Sequence, residues 1–392
     1  MAMSKLSAAG RYDPLHMAEF DPSTHPHRRF NPLIKEYVLV SPHRTKRPWL
    51  GQLEPPQATT LPKYDPACYL CPGNSRTSGQ KQPVYENTHS FENDFAAVLP
   101  VAPEAPTPLH PLMTVEPVHG ACDVIIFHPR HDLTMSRLQP KEIEQVIEEW
   151  IRIYVMRGTQ EGIKYVQLFE NKGAMMGCSN PHPHGQSWAH SFVPTIPAQE
   201  LRSLKQYALT GSQVSEAPKG PGDRPCLLCE YAHAEVKVAK DEGRVVVSNN
   251  HWVALVPWWA TWPFEILLLP YRRHIAALDE LEEEEKQAFA EILSKVTRRY
   301  DNLFSCSFAY SMGIHQRPVP VPKGSTHPVD DEKQFAHLHL HFDPPLLRSA
   351  TVRKFLVGYE LMGEAQRDLT PEQAAARLRD LNEVHYLENL QE

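Results

Sequence analysis

Apolar positions along this chain recur with two different periods. Short runs such as Tyr37–Val40, Val124–Phe127, Tyr165–Phe169, Trp252–Val256 and Glu265–Leu269 have strand length and are rich in β-branched, aromatic and leucine side chains. After Pro140 the spacing changes to three and four, placing Ile143, Val146, Ile147, Trp150 and Tyr154 on one helical face. A second stretch, from about Leu281 to Tyr300, does the same with Phe289, Ile292, Leu293 and Val296. The acidic run Glu282–Glu285 reads as the solvated first turn of that helix, near the positive end of its dipole. A last helix is expected after Thr370, which can cap, with Pro371 at the first helical position and Gln373 closing a capping box. Its expected role is packing or a subunit contact. Residues 1–30 are polar and broken by Pro, the pattern of a loosely ordered arm. Trp258, Trp259 and Trp262, between apolar strands, are expected in the core.

The order of parts repeats. Residues 31–205 carry Cys68-Tyr-Leu-Cys71, the strand before His131, a helix, and a strand leading to His182-Pro-His184-Gly-Gln186. After a Gly/Ser/Pro linker near 211–225, residues 206–392 carry Cys226-Leu-Leu-Cys229, a strand before His274, a helix, and His337-Leu-His339-Leu-His341. A repeat this long points to duplication of one strand-and-helix unit and not to a solenoid.

Composition narrows the function classes. A chain of 392 residues can bury two ordinary cores. Its net charge of -7, without a long basic run, argues against a protein that grips nucleic acid by its phosphates. The clusters His27–Arg29 and Arg44–Arg47 read as solvated surface. No apolar run reaches the roughly 18 residues of a membrane span, and the N-terminus lacks a secretory apolar core, so a cytoplasmic protein is expected. In a reducing compartment the two C-x-x-C pairs among the seven cysteines point to metal or redox chemistry and away from structural disulfides.

The stretch Ser179–Gln186 carries the most chemistry per residue. His182 and His184 flank Pro183 and share a face in an extended backbone, so one ring can act while the other holds the backbone. Neutral imidazole, with an ordinary pKa of about 6.5, is a good nucleophile near pH 7, and the bond made by one ring nitrogen decides which nitrogen attacks. Gln186 offers an amide donor without a titratable proton. On these residues alone, a polar loop or a metal-binding turn explains the pattern equally well.

The flanking strings, Asn171-Lys-Gly-Ala-Met-Met-Gly-Cys-Ser179 and Ser187-Trp-Ala-His-Ser-Phe-Val-Pro194, resemble the galactose-1-phosphate uridylyltransferase family, within the histidine-triad superfamily. The resemblance runs from about His25 to Tyr386 and is weakest near 205–245 and 316–336. It implies an α+β fold of two tandem histidine-triad-like half-units, antiparallel sheets flanked by helices, with the active motif in the first half only. It further implies ping-pong exchange of UMP between UDP-glucose and galactose 1-phosphate, giving UDP-galactose and glucose 1-phosphate. His184 would be the nucleophile, with Gln186, Ser179 and Arg44 at the phosphates. Asn93, Asp94, Phe169, Asn171 and Gly177 match the family's uridine end, and Lys354, Tyr359, Glu360 and Gln366 its hexose end.

The resemblance also implies metals and a partner. Cys68, Cys71, His131 and His182 match a zinc site and have the composition of a closed tetrahedral Cys2His2 centre, which would fix His182 and so aim His184. Cys226, Cys229, His274 and His337 repeat those ligand types and imply a second zinc. Glu200, His315, His339 and His341 match an iron site of some members, with strand histidines bonded to neighbours as the alternative. Family members are homodimers with shared active sites. The rival readings are a histidine-triad phosphorylase or hydrolase of adenine dinucleotides or ADP-sugars, set apart by Gln186 and the hexose string, and a zinc-binding adaptor without catalysis.

Overall fold

The structure, a computed structural model, describes residues 19–46, 61–211, 216–240, 242–321, 331–347, 349 and 356–388. Strands β1 (His27–Asn31) and β2 (Glu36–Val40) come first, then β3 (His89–Glu92), β4 (Gly120–Ile126), helix α1 (Pro140–Gly158), β5 (Tyr165–Lys172), β6 (His184–His190) and α2 (Thr195–Thr210). The second half adds α3 (Leu227–Lys237), β7 (Val245–Ser248), β8 (Trp252–Leu255), β9 (Ile266–Pro270), α4 (Glu283–Leu303), β10 (Tyr310–His315) and β11 (His339–Asp343). The short helix α5 (Tyr359–Met362), β12 (Ala365–Arg367) and α6 (Pro371–Arg379) close the chain.

The repeat is visible in the pairing. Nine antiparallel strands form one sheet in the order β3-β4-β6-β5-β10-β11-β9-β8-β7. Read outward from the central β5–β10 pair, the first half runs β5, β6, β4, β3 and the second runs β10, β11, β9, β8. The two halves therefore have the same strand order, joined edge to edge through β5 and β10, with Gly313 opposite Phe169. This join removes an open edge from each half-sheet, the edge at which unwanted pairing would otherwise occur. Helix α2 runs unbroken across positions 205 and 206, the expected division between the halves.

One face of the sheet is sealed by α1 and α4. Ile143, Val146, Ile147, Trp150 and Tyr154 are all buried there, as are Phe289, Ile292, Leu293 and Val296. Trp252 stacks on Phe289 with ring centroids 4.1 Å apart. Across the second half the opposite face is covered by α2 and α3, whose Leu204, Leu227 and Leu228 meet Val253, Leu255, Leu267 and Leu269. Around β5, β6 and β10 that face stays open. Gln167, Phe169 and Asn171 alternate with the buried Leu168 and Glu170, and His184, Gln186 and Trp188 alternate with Gly185, Ser187 and Ala189.

Three expectations change. Residues 27–30, assigned to the arm, form β1, and Arg29 is buried against Trp258 (3.8 Å from the ring centroid) while donating to Glu372 at 2.9 Å. Trp258 is accordingly a half-exposed platform for a cation and Trp262 lines an open cleft; Trp259, also on that cleft, is buried as expected. Glu285 is not solvated: it is buried and takes two 2.6 Å bonds from Arg273, leaving Glu282, Glu283 and Glu284 as the exposed acidic turn. At α6, Thr370 Oγ1 accepts from the Gln373 amide at 3.2 Å, and buried Ala374, Ala375 and Leu378 show that this helix packs on the core.

Candidate active site and metal centres

His184 opens β6 beside a cavity of about 280 Å³ lined by Leu70, Arg76, Phe91, Asn93, Asp94, Val124, Ser179 and Gln186. Its Nδ1 lies 2.8 Å from the His182 carbonyl oxygen. A carbonyl can only accept, so Nδ1 carries the proton and Nε2 keeps its lone pair. Burial holds the ring's pKa below its ordinary 6.5, so it is neutral at pH 7. Gly185 is required by close approach: a Cβ there would meet Phe169 O and Phe127 Cζ, each at 2.9 Å. Across the β5–β6 ladder Gln186 stands opposite Phe169.

The first cysteine pair sits under this strand. Cys71 Sγ is 3.4 Å from His182 Nδ1 and 3.7 Å from His131 Nδ1, and Cys68 Sγ is 3.9 Å from His182 Nδ1. Tetrahedral zinc with these ligands sets its donor atoms roughly 3.3–3.8 Å apart, so the four residues fit one ion. The far nitrogen of His182, Nε2, bonds the His128 carbonyl at 2.8 Å, which fixes the ring from behind. His182 thus serves both centres: its ring faces the cysteines and its carbonyl holds His184.

The second half copies this geometry. His274 and His337 ring centroids are 5.2 Å apart at 82°, against 5.3 Å and 76° for His131 and His182. Cys229 Sγ is 3.8 Å from His274 Nδ1, and the buried Nε2 atoms of both histidines lack a hydrogen-bond partner. His337 Nδ1 donates to the Leu338 carbonyl at 2.9 Å, so its Nε2 keeps a lone pair that a bound cation would occupy. His339 takes the place of His184, its Nδ1 2.7 Å from the His337 carbonyl. Its Nε2 instead faces Glu200 Oε2 at 3.5 Å, while His315 Nδ1 reaches the same oxygen at 2.7 Å and His341 Nε2 lies 3.6 Å from Glu200 Oε1. Burial alone would raise the Glu200 carboxyl, but the three imidazoles outweigh it and hold it well below the usual carboxylate range. Each of the three groups brings its four ligand atoms within 4.8 Å of one another and could hold a metal ion. His315 pairs directly with His339 in the β10–β11 ladder, so the third group forms although the resemblance is weak over 316–336 between them.

Not every expected residue gathers at His184. Ser179, Asn93 and Asp94 line its cavity. Phe169 and Asn171 line a neighbouring cleft of about 850 Å³ that also holds Glu200, His315, His341 and Glu360. Gly177 ends a tight turn at φ +79, a conformation that favours glycine. Arg44 lies 3.6 Å from Asp368, Tyr359 is exposed on α5, and Gln366 is buried with its amide given to Asp368 at 2.7 Å. Lys354 lies outside the described residues. Within a single chain, then, Arg44 and the described hexose-string residues do not line the nucleophile's cavity.

Two cavity features escaped sequence reasoning. Arg76, in the turn closed by the Ser75–Lys81 bridge, grips both oxygens of Asp94, depressing its pKa, and lies over Phe91 at 4.2 Å. Trp188 donates Nε1–H to Gln186 Oε1 at 3.2 Å, which the two-residue period from Gln186 could have flagged. Burial also makes the histidines pH-sensitive. His182 and His341 are each pushed down to about 4 from 6.5. Below pH 6.5 the unfolded chain takes up these protons while the fold refuses them, so metal-free protein is expected to lose stability steadily as pH falls from 6.5 to 4. Thermal melts in chelator across that range check this; a flat Tm would contradict it.

Comparison with known proteins agrees with this architecture. Residues 17–194 match the galactose-1-phosphate uridyl transferase N-terminal domain and residues 200–390 its C-terminal domain. The chain is 51% identical over 363 residues to the galactose-1-phosphate uridylyltransferase of Cryptococcus neoformans, covering 91% of this chain and 90% of that one. It is 49% identical to that of Rattus norvegicus, covering 94% and 91%. A solved uridylyltransferase structure superposes with a TM-score of 0.67 at 27% identity, covering 90% of this chain and 97% of the other. Fold and likeness together define a nucleotidyltransferase of α+β architecture, built from two matched halves. The chain belongs to the galactose-1-phosphate uridylyltransferase family.

Proposed function

We propose that this chain moves UMP from UDP-glucose to galactose 1-phosphate, in two displacements on His184. The observation that carries the assignment of the nucleophile is the neutral ring itself: Nδ1 committed to the His182 carbonyl, Nε2 free beside Ser179 and Gln186. Nε2 attacks the α-phosphorus of UDP-glucose, a P–N bond forms, and the P–O bond to glucose 1-phosphate breaks. A phosphate oxygen of galactose 1-phosphate then attacks the same phosphorus, the P–N bond breaks, and UDP-galactose leaves. A sugar phosphate departs without prior protonation, so a neutral amide at Gln186 suffices, its N–H groups meeting the charge that builds on the non-bridging oxygens. Ser179 assists at the phosphates from within the cavity, and Arg44, which stands outside it in its own chain, assists from the partner subunit. Asn93, Asp94, Phe169, Asn171 and Gly177 hold the uridine, with Arg76 fixing the Asp94 carboxylate. The rival phosphorylase or hydrolase reading is not favoured by the family match.

Metal identity and assembly belong to the same proposal. The two Cys2His2 groups suit zinc, held in closed structural sites without a coordination position for water. Glu200 with three imidazoles suits iron or zinc. None of the seven cysteines is in a disulfide, which suits a metalloprotein of a reducing compartment. Lys354, Tyr359, Glu360 and Gln366 serve the hexose across a homodimer interface, which accounts for the absence of the three described ones, Tyr359, Glu360 and Gln366, from the His184 cavity of their own chain. Mixing inactive His184→Ala with inactive Glu360→Ala protein, under conditions that exchange subunits, is then expected to restore part of the activity. No recovery, or a monomer by sedimentation, contradicts the shared site. The assay that tests the whole proposal is exchange between UDP-glucose and galactose 1-phosphate with product identification; steady release of UMP without exchange would sink it.

A further inference from the structure

We infer that Trp188 is a positioning residue for this reaction, one that turns Gln186 from an ambiguous amide into a directed donor; the inference rests on the transfer chemistry proposed above. A glutamine amide has one accepting oxygen and one donating nitrogen, nearly the same in shape, and in an open cavity either can face the substrate. Only the nitrogen helps, because the non-bridging phosphoryl oxygens carry negative charge and the carbonyl oxygen would repel them. Something must select between the two.

Trp188 makes that selection. It lies two residues beyond Gln186 on β6 and so shares its open face. Its Nε1 is 3.2 Å from Gln186 Oε1. Indole nitrogen can donate but cannot accept, so the reversed amide would set donor against donor. With Oε1 occupied by the indole, both Nε2–H groups are left for the cavity that Gln186 shares with His184 and Ser179.

The indole is itself held. Phe169, opposite Gln186 in the ladder, meets Trp188 edge-on at 5.6 Å and 83°, and His190 meets it at 6.4 Å and 78°. An aromatic lattice on the open face of β5 and β6 therefore fixes the ring, the ring fixes the amide, and the amide meets the phosphate. Phenylalanine at 188 keeps an aromatic surface there and removes the donor. Benzothienylalanine, with sulfur in place of the indole N–H, removes the donor while keeping the bicyclic shape.

The test is a double-mutant cycle on the uridylylation half-reaction, measured by rapid quench with UDP-glucose. Trp188→Phe and the benzothienyl variant are each expected to slow the chemical step roughly tenfold, the scale of one neutral hydrogen bond, with little change in UDP-glucose KM. Gln186→Ala is expected to lose roughly 10²–10³-fold, the scale of an oxyanion donor. In the Gln186→Ala background Trp188→Phe should then cost nothing further, because no amide remains to orient. Effects that multiply in the double variant would mean that Trp188 acts through packing, and the inference would fail. A benzothienyl variant as fast as wild type would overturn it as well. Wild-type protein that never becomes uridylylated would instead refute the proposed function, so the two failures are distinguishable.

Discussion

Replacing His184 by alanine is expected to lower UDP-glucose exchange by roughly 10⁴–10⁶-fold, the scale seen when a covalent nucleophile is removed. The variant should remain folded. The ring's Nδ1 bond to the His182 carbonyl fixes the ring and does little for the strand, which is held by its pairing with both β4 and β5. Metal content should also stay unchanged, because the His184 ring is not among the four residues of any metal group. Loss of activity with retained metal and retained Tm separates a chemical role from a structural one. Tenfold slowing, by contrast, would mean that another group carries the uridylyl moiety. The half-reaction should lose rate as the ring takes up a proton, and burial moves that loss to lower pH than for an ordinary imidazole.

The second large effect concerns the centre beneath that strand. Cys71→Ser is expected to remove one equivalent of bound metal and to reduce activity by at least 10–100-fold, the range typical when the groups supporting a ligand are lost. The path is short. The ion holds the His182 ring, the His182 carbonyl holds the His184 ring, and Leu70, between the two cysteines, lines the nucleophile's cavity. Burial pushes the free Cys71 thiol up to about 11, so a thiolate at neutral pH needs a cation beside it. Cys226→Ser should also release one metal equivalent yet leave the uridylylation half-reaction largely intact, because the strand beside this centre, β11, delivers His339 to Glu200 and not to a phosphate. Elemental analysis beside rapid quench reads both numbers. If Cys71→Ser and Cys226→Ser lose activity equally, the division into one supporting centre and one remote copy is wrong.

Much of this was legible because periodicity and ligand spacing are local properties. The faces of α1 and α4 could be read from apolar residues three and four apart, and both cysteine pairs from their spacing. Strand β10 gave no comparable signal. Its Ser311, Gly313 and His315 face the open side, so the alternating pattern never becomes an apolar run. The central β5–β10 join was equally hidden, since strand register between distant segments leaves no trace in either segment alone. At the site, the type of residue was readable but not its present partner. Gln366 turns to Asp368, Arg44 stands by Asp368, and Asp94 is held by Arg76, each through contacts that only the folded chain creates. His339 shows the same limit from the other direction. The repeat aligns it with His184, and the backbone holds the two rings alike, but Glu200 on α2 makes one a candidate metal ligand and leaves the other beside an open cavity.

The most direct measurement is intact-protein mass spectrometry, followed by peptide mapping, after brief mixing with UDP-glucose in the absence of acceptor. The account predicts a gain of one uridylyl group per active site, located on the peptide that contains His184, labile to acid, stable to base, and discharged by galactose 1-phosphate. Exchange activity without any such adduct, or an adduct on a different residue, would contradict it.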